Sequence, residues 1–98
     1  MNETPIYTIT TVRAALGAGS RTVGFAHKLP DAIKWVEENA LNINEEGYYP
    51  YAVIEPIKQG IYNFDHIEYW YKFNREKDSY EQCPKPERFK NVVSWGMG

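Results

Sequence analysis

A chain of 98 residues is the size of one domain, and residues 1–98 are read as a single unit. Its composition, 43% hydrophobic and 24% charged, excludes wholesale disorder, and a net charge of −2 argues against a protein built to hold the backbone of a long nucleic acid. One cysteine, Cys83, excludes an intramolecular disulfide and a cysteine-type zinc site and fits a reducing, cytoplasmic setting, while the aromatic share, 15%, is the outlier.

The opening "MNETPIYTIT" has neither a basic nor a long apolar region, so no secretory signal is expected, and no run approaches the length of a membrane helix. "IYTITTVR" is β-branched and alternating, the pattern of a strand. "AALGAGS" is a loop, and "RTVGFAH" resumes a strand with Arg21, Val23 and Phe25 on one face, so the two segments form an antiparallel hairpin. The glycines, serine and Arg21 of "GAGSR" have the chemistry of a phosphate cradle. The loop opens no helix, however, and an ordinary hairpin turn is the stronger reading.

From Leu29 the period changes. Leu29, Ala32, Ile33, Val36 and Ala40 share one side of a helix, with Pro30 and Asp31 suited to its first turn and Asn39 and Asn42 to its end. Trp35 lies at the boundary of that stripe. After a turn at Gly47, a strand is expected from about Tyr49 to Ile57, with Pro50 and Pro56 marking its ends or an edge. "HIEYWYKFN" is a further strand. "REKDSYEQCPKPERFK" is expected as an exposed loop holding at most one turn of helix, and "NVVSWGMG" as a short final strand. The fold class is α+β: a single twisted, mostly antiparallel sheet, order β-β-α-β-β-β, with one helix packed on one face.

Side chains alternate across a strand, so Ile67, Tyr69, Tyr71 and Phe73 should lie under the helix. His66, Glu68, Trp70 and Lys72 then share the opposite face. Trp70 among polar neighbours has two readings, a stacking platform or a ring packed beneath the 75–90 loop. On the first, the site would comprise Trp70, Lys72, Arg75, Arg21 and His66, holding a flat, charged, nucleotide-like ligand. Glu45, Glu46 and Glu55 would repel a longer polynucleotide. His66 with Glu68 has a two-ligand metal spacing but lacks a third ligand, and Cys83 in "QCPK" has no nucleophile context, so no catalytic constellation, metal or cofactor is expected.

The segments "RTVGF", "DAIKWVEENALNINEEGYYPYAVIEPIKQGIY", "WYKFN", "KPE" and "GMG" together resemble a family of short uncharacterised bacterial and prophage proteins, a resemblance that spans about 90 residues and brings no established function. The chain is also similar in style to small phage anti-defence proteins. That likeness implies a non-enzymatic protein that sequesters a nucleotide-like ligand or inhibits a host protein. The alternatives are an accessory protein that forms a homodimer or larger oligomer through a sheet edge, and an enzyme with an unrecognised site.

Overall fold

β-Branched residues in alternation make Ile6–Val12 strand β1, which pairs antiparallel with Ser20–Ala26, strand β2, as the sequence predicts. In this computed structural model the described residues are 6–13, 20–45, 49–57 and 67–89. Helix α1 (Leu29–Glu37) follows, then β3 (Tyr51–Ile57), β4 (Tyr69–Asn74) and β5 (Ser79–Gln82). All five strands join one antiparallel sheet in the spatial order β2-β1-β3-β4-β5. The fold is therefore the α+β arrangement expected, with the order β-β-α-β-β-β and one α-helix among the described residues. No helix among the described residues is long and apolar enough to cross a membrane.

The helix lays Ala32 and Val36 on the sheet, where they meet Ile9, Ala52, Ile54, Tyr71 and Tyr80. Tyr69 and Phe73 pack against the same core, so the face assigned to β4 from its alternation is the observed one. Ile67 departs from that pattern: it precedes the strand and is about half exposed. Pro56 lies beyond Ile54, the last β3 residue that pairs with β4, so its missing amide removes no bond from that ladder.

Three expectations are corrected. Ser79–Gln82, inside the stretch read as loop, is a strand, the fifth among the described residues, while the final strand expected over "NVVSWGMG" lies outside them. The turn Arg75–Asp78 folds that segment back on β4, and Asn74 holds it: the Asn74 carboxamide oxygen accepts the backbone N–H of Glu76 at 3.0 Å. The single helical turn allowed there is present at Glu87–Phe89.

Arg21, Val23 and Phe25 do not share a face. The register slips at Val23: Ile9 opposes Gly24 while Thr10 opposes Thr22, which leaves Val23 as the extra residue of a bulge. Val23 joins the helix-side core, whereas Phe25, opposite Thr8, points to the other side and is half exposed.

Helix α1 also ends earlier than its apolar stripe. Asn39, Leu41 and Asn42 adopt left-handed backbone, φ 48°, 54° and 58°, and break it into a 3-10 turn. Asparagine tolerates this region because its short amide can bond locally. Here the Asn39 amide donates to the Asn44 side-chain oxygen at 3.1 Å, and the Asn44 backbone N–H donates to the Asn39 side-chain oxygen at 3.0 Å.

Candidate functional site

The sheet has a second core on the face away from the helix, and Trp70 is at its centre. Trp70 pairs across the ladder with Val53, which pairs with Thr10, so these side chains share that face. Phe89, delivered by the turn Glu87–Phe89, stacks on the indole with ring centroids 5.6 Å apart, and Tyr51 meets both rings edge-on. Val12 and Val53 complete the cluster. Trp70 is 2% exposed.

The loop is fixed above the ring electrostatically as well. The Trp70 indole N–H donates to Glu68 Oε1 at 2.9 Å, and Lys85 Nζ reaches the same oxygen at 2.8 Å. The stacking-platform reading of Trp70 is thus replaced by the packed one, because its ring face is taken by Phe89. The sequence hides this cover: Phe89 sits alone in "PERFK", with no apolar run to mark it.

The residues expected to gather around Trp70 separate. Lys72 and Arg75 remain together at the β4–β5 end, where with Asn74, Glu81 and Cys83 they line a groove of about 530 Å³. Arg21 is elsewhere. Its row runs Arg21, Thr11, Ala52, Tyr71 across the sheet, on the helix side, and its guanidinium pairs with Glu45 at 2.8 Å. His66 and residues 17–19 of the glycine loop lie outside the described residues. The carboxylates expected to repel a polynucleotide also separate: Glu45 is paired with Arg21, Glu55 is fully buried opposite Thr8, and Glu46 lies outside the described residues.

The chemistry of the groove is modest. Burial pushes the Cys83 thiol up, and the nearby Lys72 charge offsets part of that shift, the opposite of an activated nucleophile. Hydrogen bonds from Asn74 and Lys77, with the Lys77 charge, hold the Glu81 carboxyl below its usual range, so it is a settled anion there. Among the described residues no three His, Cys, Asp or Glu side chains converge as metal ligands.

A different surface stands out on the helix side. Beyond the end of α1, Leu41 is fully exposed, and Trp35 is 41% exposed. Both border an apolar hollow of about 340 Å³ whose other walls are Ile9, Val23, Ala40 and Ile43. Leu41 is unfavourable twice over. It exposes a large apolar side chain, and it holds left-handed backbone, which costs an L-residue with a Cβ about 1–2 kcal/mol. The Asn39–Asn44 bonds and the N–H of Asn42 donating to the Asn39 carbonyl at 2.9 Å impose that conformation.

No family model, curated protein or solved structure matches the chain. The functional reading therefore rests on the geometry of these two surfaces. The second leaves little trace in the sequence, because Leu41 falls off the helical stripe and Ile43, which continues its spacing, lies past the observed end of the helix. The signal available was an apolar residue set between two asparagines, "ALNIN", where a helix end is normally polar.

Proposed function

We propose that the protein is a small non-enzymatic binding protein that works by protein–protein contact through the Trp35–Leu41 surface. The observation that carries this reading is Leu41, held fully exposed in a strained backbone beside an apolar hollow. Strained residues and exposed apolar patches both concentrate where proteins bind. A half-exposed Trp is the residue type most often found as an interface anchor.

Of the two ways a binder was expected to act, protein contact gains more support than nucleotide sequestration, since Trp70 has no ring face to offer. Association through a sheet edge gains less. The β2 edge is bulged at Val23 and the β5 edge is four residues long, both devices that blunt edge pairing. A second reading keeps one observation in its favour: Lys72 and Arg75 share a groove that suits a small anion.

Native mass spectrometry of the protein purified from its own cells decides between them. A bound protein mass that Leu41→Asp loses supports the proposal. A small-molecule mass that survives Leu41→Asp and is lost in Lys72→Ala with Arg75→Ala transfers the function to the groove and overturns it.

A further inference from the structure

We draw no further inference here: the strongest candidate, the apolar hollow beside the end of helix α1 that Ile9, Val23, Trp35, Leu41 and Ile43 help to wall, carries nothing beyond the binding-surface reading above, because nothing in the structure shows what covers it.

Discussion

Trp70 and Phe89 stack with their ring planes 11° apart, and that contact closes the face of the sheet opposite the helix. Phe89→Ala should therefore cost about 3–5 kcal/mol, the usual range for emptying an aromatic core site. Urea unfolding followed by far-UV circular dichroism measures it. Phe73→Ala, at a half-buried ring, should cost distinctly less, and Lys72→Ala, at an exposed position, less than about 0.5 kcal/mol. A Phe89→Ala cost as small as that of Lys72→Ala would mean that Trp70 is uncovered in solution.

The bond from the Tyr80 hydroxyl to the Tyr49 carbonyl, 2.6 Å long, ties β5 to the start of β3. Tyr80→Phe should destabilise by about 0.5–1.5 kcal/mol. It should also change the alkaline limit of stability. Burial pushes the Tyr80 phenol far up, and burial, Glu37 and Tyr69 together raise that of Tyr71. The unfolded chain then gives up those protons first, so the contribution of these two phenols to stability is constant below the free phenol value near pH 10 and falls as pH rises above it. Urea midpoints taken across that range should fall less steeply for Tyr80→Phe than for wild type.

Glu68 accepts from both Trp70 and Lys85. Glu68→Ala leaves an indole N–H and a half-buried ammonium without this acceptor and should cost about 1–3 kcal/mol. Lys85→Met keeps the aliphatic stem and the Trp70 bond and should cost less. Equal losses in thermal unfolding would show that the Lys85 charge, rather than the indole bond, fixes the loop.

The Asn39–Asn44 lock makes Asn39 sensitive. Asn39→Ala loses both side-chain bonds to Asn44 while keeping a Cβ in left-handed backbone, and it should cost about 1–3 kcal/mol. Asn39→Gly should recover part of that loss by relieving the backbone alone. Chemical unfolding of the two variants side by side reads the difference.

Gly24 opposes Ile9 at the bulge, and no atom stands within 4 Å of where a Cβ on it would lie. Gly24→Ala should be neutral or stabilising by up to about 1 kcal/mol, through the restriction of the unfolded chain. A lower melting temperature would show that the bulge needs glycine for its backbone and not for space.

Features governed by local periodicity could be read from the residues alone. The strand Ile6–Val12, the helix-facing Ala32 and Val36, and the partition of Tyr71 from Lys72 all follow from side-chain spacing, and the structure keeps each. The bulge at Val23 could not be read, because an extra residue leaves no mark on alternation until the partner strand is known. Ser79–Gln82 was hidden for a related reason. Its strand character comes from pairing with β4 and from the Phe73–Tyr80 ring contact, not from an apolar pattern of its own. The site was legible only in fragments. Lys72 and Arg75 meet because a strand end and a turn keep them adjacent, whereas the packing of Trp70 depends on Phe89, a residue distant in sequence.

The sheet's order has a kinetic consequence. It consists of two ribbons, the β2–β1 hairpin and the β3–β4–β5 meander, whose ladders each join strands adjacent in sequence. One seam unites them, β1 on β3, running from Ile6 opposite Ile57 to Val12 opposite Tyr51. Each ribbon can form on the microsecond scale of hairpins, but the seam must first close the chain around the helix and bear the loop entropy of that closure. Refolding is therefore expected to wait on β1 meeting β3, with the helix, whose stripe touches strands of both ribbons, settling at that event. Lowering the entropy of the connection would speed folding and leave the rate of unfolding nearly untouched.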